Sequence, residues 1–99
     1  MYVYLWEFRV REERRSEFED VYGPEGAWVE LFRRAEGYLG SQLLRDPRDG
    51  ARYVTIDRWA SREALESFRA RFGAEYEALD RRCEAFTSAE TKIGDFESC

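Results

Sequence analysis

Apolar and polar positions alternate from Tyr2 to Val10, with Tyr2, Tyr4, Trp6, Phe8 and Val10 on one side and Val3, Leu5, Glu7 and Arg9 on the other. A period of two predicts a strand. Its ring-rich side is heavy enough to need helices above it, and its other side, apolar only at the start, suits a sheet face half covered by a partner. Arg11 to Tyr22 reads as a helix with Phe18, Val21 and Tyr22 on its apolar side. Gly23-Pro24 interrupts it, and Pro24 is expected in the first turn of a second short helix carrying Trp28, Leu31, Phe32 and Ala35. Gly37 falls where a left-handed cap would end that region.

From Tyr38 to Asp46 the alternation weakens: Leu39, Ser41 and Leu43 stand against Tyr38, Gly40, Gln42 and Leu44. A glycine inside a strand pattern predicts a bulge or a close backbone approach, here at Gly40. Asp46-Pro47-Arg48-Asp49-Gly50 is turn chemistry. It should join this strand to a second at Arg52 to Trp59, where Tyr53, Val54, Thr55 and Ile56 are β-branched or aromatic. Ser61 then offers an N-cap oxygen. The helix beyond it carries Leu65, Phe68, Phe72, Tyr76, Leu79 and Cys83 as one stripe, with a kink expected at Gly73. The last segment, about Phe86 to Phe96, is poorly patterned and is read as a strand that completes the sheet.

Strand, split helix, strand, strand, helix, strand is the order of a ferredoxin-like βαββαβ unit: an α+β fold with a four-stranded antiparallel sheet and helices on one face. The 99 residues make one domain of marginal size, part of whose apolar surface a second copy would cover. Aromatic residues form 16% of the chain, an excess that calls for a pocket or an interface.

Charge narrows the chemistry. A net charge of −5 argues against a nucleic-acid partner, which needs a concentrated basic surface. No apolar run approaches the roughly 20 residues that span a bilayer, and no signal-peptide pattern is present, so no membrane partner is expected. Cys83 and Cys99 form neither a CxxC pair nor a disulfide framework; Cys83 reads as a small core residue, and a reduced, cytoplasmic setting follows. Histidine is absent. Without it there is no ordinary zinc site and no base for a nucleophilic triad, and no glycine pattern forms a phosphate loop, so neither a metal nor another cofactor is expected.

What is left is rings with a few polar groups. Trp6, Phe8, Trp28, Phe32, Trp59, Phe68 and Phe72 could all reach the space between sheet and helices. They either fill the core or wall a slot for a flat apolar ligand, since such slots are mainly hydrophobic with a few placed polar groups. The polar candidates are Asp57, Arg58, Tyr38, Tyr53, Tyr76 and Gln42. Strand parity groups Asp57 with Trp59 and sets Arg58 on the other side with Val54 and Ile56. Asp57 would then be buried at a cost unless paired or ligand-facing; the plainer reading is an edge-of-sheet Asp57–Arg58 pair.

The chain resembles the antibiotic biosynthesis monooxygenase (ABM) superfamily of dimeric α+β barrels. The resemblance lies in EFRVREERRSEFEDVY, GYLGSQLLRD and above all YVTIDRWASREALESF, where a tryptophan closes a strand just before Ser-Arg-Glu-Ala. The GPEGAWVELFRRAEGYLG block resembles one bacterial branch of it. The resemblance implies a homodimer whose sheets face one another and a ligand pocket between each sheet and its own helices. Its activities include oxygenation of phenols to quinones without metal or flavin, quinol oxidation and haem breakdown. Trp59 matches the strand tryptophan of the haem-degrading branch, but that branch's asparagine falls near Trp6 and its helix-borne histidine has no counterpart. The expected function is therefore a cofactor-independent monooxygenase for a small aromatic substrate. Asp57 or a tyrosine such as Tyr76 would deprotonate a phenol, and Arg58 or another arginine would stabilise the charge that develops. The alternatives are a non-catalytic dimeric module that binds a small hydrophobic molecule, a dimer whose pocket is filled by its own side chains, and, against the absence of histidine, a haem-degrading relative.

Overall fold

A computed structural model describes residues 1–99. The alternating N-terminal stretch forms β1 (Tyr2–Val10), followed by a 3-10 turn at Glu12–Arg14 and α1 (Arg15–Tyr22). A short helix α2 (Ala27–Phe32), the hairpin strands β2 (Tyr38–Arg45) and β3 (Arg52–Trp59), the 22-residue helix α3 (Arg62–Cys83) and β4 (Thr87–Glu97) complete the chain. The strands form one antiparallel sheet in the order β2-β3-β1-β4, with the helices on one face: the ferredoxin-like α+β fold. The smallest dimension of the molecule, 21 Å, is the thickness of one sheet and one helix layer. No helix is long and apolar enough to cross a membrane.

Local chemistry sets the joints. Ser61 caps α3 by accepting from the Ala64 amide at 3.1 Å. The kink falls at Phe72 (φ −114°, ψ 22°), beside Gly73. Pro24 lies three residues ahead of α2, outside it; Gly26 is the residue that flanks the helix start. Gly37 takes a left-handed φ of +85°, and a Cβ there would stand 2.7 Å from the Cβ of Ala64, so this turn needs both the freedom and the smallness of glycine.

Gly40 is the bulge, and its effect is larger than a local kink. Tyr38 pairs with Trp59, Gly40 with Arg58 and Ser41 with Asp57. The extra residue reverses the parity of β2, putting Tyr38, Ser41 and Leu43 on the helix side and leaving Leu39 exposed. The set Leu39, Ser41, Leu43 that simple alternation groups together is thereby broken.

Trp59, fully buried, packs with Phe32, Tyr38 and Phe68 at ring separations of 5.3 to 5.6 Å. A second group, Phe8, Phe18, Tyr22 and Tyr53, fills the opposite end of the layer. Cys83 is buried in the same core, and Cys99 is exposed. On the other sheet face, Val3, Leu5, Val54 and Ile56 are only partly buried, and Leu44 and Phe96 are exposed.

Candidate functional site

Between the two ring groups the layers do not close, and a cavity of about 130 Å³ remains. Its floor comes from the sheet: Tyr4, Trp6 and Phe8 of β1, Thr55 and Asp57 of β3, and the Ser41–Gln42 segment of β2. Tyr22, Trp28, Val29 and Phe32 supply the roof, and Tyr76 and Asp80 of α3 with Glu90 of β4 close the far end. A wider groove along β2, sharing Tyr22, Val29, Ser41 and Gln42, leads away from it.

Asp57 is the chemical centre of this floor. It stands on an inner strand, opposite Tyr4 on one side and Ser41 on the other, and is 8% exposed. The edge-of-sheet pair with Arg58 does not form, because successive strand residues point to opposite faces. Arg58 lies on the far face, where its Nη2 donates to Gln42 Oε1 at 2.7 Å. No arginine or lysine forms an ion pair with Asp57; instead Ser41 Oγ donates to Oδ1 at 2.5 Å, and the Tyr38 hydroxyl lies 2.6 Å from Ser41 Oγ. With the Ser41 proton committed to the carboxylate, Tyr38 is the donor in that second bond. Burial pushes the Asp57 carboxyl up to about 6, against the opposing pull of the Ser41 and Tyr4 hydroxyls and the Arg58 charge.

The neighbouring phenols move the other way from reactivity. Tyr4, buried beside the Asp57 charge, is pushed well above its usual range, and Tyr76 is raised by burial and then by Asp80. Both stay protonated near neutrality, so neither serves as a base. Asp57, with its carboxyl pushed to about 6, titrates between acid and neutral pH, which is what a general base requires.

Of the residues singled out in the sequence, Trp6, Phe8, Trp28, Phe32, Gln42, Asp57 and Tyr76 meet at this cavity. Trp59, Phe68 and Phe72 do not: they face the same layer but pack solidly at its other end. Tyr53 is tied to Glu19 through its hydroxyl, away from Asp57. Tyr4, Tyr22, Ser41, Thr55, Asp80 and Glu90 were not singled out. Parity alone could have flagged Tyr4 with Trp6 and Thr55 with Asp57; Ser41 depended on reading Gly40 as a parity reversal.

This combination of a ferredoxin-like sheet and a ring-walled cavity beneath two helical segments defines a class of small α+β proteins. The chain belongs to the antibiotic biosynthesis monooxygenase family, whose model matches residues 1–82. Among solved structures it is similar to SnoaB of Streptomyces nogalater, a cofactor-independent oxygenase, at 25% identity and a TM-score of 0.74, over 99% of this chain and 92% of that one. A Nitrosomonas europaea protein assigned to antibiotic biosynthesis monooxygenases matches at 15% identity and a TM-score of 0.76, over 99% and 98%. A variant of MhuD with two manganese protoporphyrin IX per active site matches at 22% identity and 0.73, over 99% and 94%. The last two likenesses concern fold alone. No curated protein matches the chain in sequence.

Proposed function

We propose that the chain, acting as one domain, is a cofactor-independent monooxygenase for a small phenol- or quinol-type molecule, with Asp57 as its base. The observation that carries this reading is a buried carboxylate, raised to about 6 and free of any cationic partner, on the floor of a ring-walled cavity. Membership of the family and the 25% identity to a cofactor-independent oxygenase support it.

In this reaction Asp57 takes the phenolic proton, and the electron-rich aryloxide gives one electron to dioxygen. The radical pair joins at a ring carbon bearing hydrogen, forming a C–O bond. Asp57 returns its proton to the distal peroxide oxygen. Loss of the ring C–H proton and of hydroxide then leaves a quinone and one water. Phenol plus dioxygen gives quinone plus water, so no outside reductant is needed. The flat rings would hold the substrate plane, and Tyr4 and Tyr76 would donate to developing oxygen charge. Arg58, on the far face, acts only through its charge on Asp57.

Two copies would meet through the open sheet face, where Val3, Leu5, Val54 and Ile56 wait for cover, giving a homodimer with a barrel-like interior. Two free thiols fit a reducing cytoplasmic setting.

Oxygen uptake on a panel of phenols, naphthols and quinols tests the activity. Turnover by the wild type with a loss of about 100-fold or more in Asp57→Asn is expected, the usual scale of a general base. Tryptophan quenching by the same compounds with no oxygen uptake would instead support the non-catalytic binding module.

A further inference from the structure

The cavity wall holds three carboxylates, Asp57, Asp80 and Glu90, and no arginine or lysine, in a chain with 16 basic residues. Arg69 approaches Tyr4, its guanidinium 5.9 Å from the ring centre, but it is exposed and outside the wall. An anionic ligand would find no partner here. Burying any carboxylate or aryloxide beside these acids costs free energy that no cation in the wall offsets.

The acids are not evenly spread. Asp57 sits on the floor between Tyr4 and Ser41, whereas Asp80, half-buried, and Glu90, exposed, lie together at the far end, where partial desolvation and then Asp80 raise the Glu90 carboxyl. Three rings stand at that same end: Trp28 lies edge-on to Tyr76 at 5.1 Å and tilted to Tyr22 at 6.0 Å. The phenols of Tyr22 and Tyr76 both feel the Glu90 charge. Rings grouped around a point that carboxylates also face are the arrangement that receives an ammonium group.

Size sets the rest of the ligand. An apolar cavity of roughly 150 Å³ takes one benzene-sized ring, so about 130 Å³ admits a single ring and no fused polycycle, and a short arm extends from it toward the exposed Glu90. Asp57 pairs with Tyr4, while Glu90 pairs with Phe8 two strands away. That separates the two backbones by roughly 15 Å, which leaves the length of one ring plus a two-carbon arm once both side chains reach inward.

We infer that the cavity takes a single-ring phenol carrying a protonated amine, with the hydroxyl at Asp57 and the ammonium between Asp80, Glu90 and the Tyr22–Trp28–Tyr76 rings. As a substrate assignment this rests on the oxygenase reading; as a statement of what binds, it does not. The ligand brings its own positive charge, which balances the acidic end and eases formation of the aryloxide that no protein cation stabilises.

Three compounds of one shape separate the charge effect from the ring: tyramine, 4-ethylphenol and 4-hydroxyphenylacetate, each titrated into the intact protein with tryptophan emission as readout. Tyramine is expected to bind at least about tenfold tighter than 4-ethylphenol, with the acid weakest. In the double variant Asp80→Asn, Glu90→Gln the tyramine advantage should vanish while 4-ethylphenol binds as before. Equal affinities across the series, preference for the acid, or a tyramine advantage that survives in the double variant would each overturn the assignment. Charge-selective binding without oxygen uptake would uphold it and count against the oxygenase reading.

Discussion

Taking the Asp57 carboxylate out of water costs free energy that one hydrogen bond from Ser41 only partly offsets. The group ionises near 6 in the folded chain and near 3.8 when exposed, so the native state holds its proton more tightly. Stability from this group is therefore complete below about pH 4, is lost as pH rises through about 6, and stays lost above it. The difference corresponds to about 3 kcal/mol at most. Asp57→Asn removes the ionisation while keeping an acceptor for Ser41. It should be more stable than wild type at pH 8 by about 1–3 kcal/mol and equal to it near pH 4, as read by urea denaturation at the two pH values. The wild-type oxygenation rate should rise along an acid limb centred near pH 6. A loss of stability in Asp57→Asn at pH 8 would mean that the Ser41 and Tyr4 hydroxyls and the Arg58 charge together outweigh the cost of burial.

The elements differ in how openly the sequence declares them. The Tyr2–Val10 alternation and the Leu65–Cys83 stripe announce β1 and α3 because one side of each is buried or half-buried from end to end. β4 carries no such pattern: past Thr87 it is nearly all exposed, and only the sheet's need for another strand pointed to it. Parity was a sound guide on β3, separating Asp57 from Arg58, and failed on β2, where one glycine reverses it. Periodicity also names a face without giving a depth along it, which is why Trp59, Phe68 and Phe72 could not be told from the cavity rings. Two glycines make the elements testable. Gly37→Ala meets both a left-handed φ and the Ala64 side chain, and should cost about 2 kcal/mol. Gly73→Ala meets open space beside the α3 kink and should stabilise by about 0.5–1 kcal/mol. Thermal melts of the two variants should move in opposite directions.

For the whole molecule, one sheet face is covered and the other is not. Val3, Leu5, Val54 and Ile56 lie side by side across the two inner strands of the open face. A partner copy there would remove them from water at roughly 25 cal/mol for each Å² of apolar surface. Sedimentation should give about twice the 11.8 kDa chain mass, and Ile56→Glu should return a folded monomer. A wild-type monomer at micromolar concentration would count against the dimer. The sheet order has a consequence in time as well as in space. Asp57 rides on β3, flanked by β1 and β2, whereas its donor Ser41 and the relay hydroxyl of Tyr38 ride on β2, an edge strand already loosened by the Gly40 bulge. Edge strands open locally far more often than inner ones. Amide hydrogens of β2 should therefore exchange with deuterium well before those of β1, and each brief fraying would release Ser41 from the carboxylate. The base of this site is then anchored to the slow half of the protein, while the bond that tunes it belongs to the fast half.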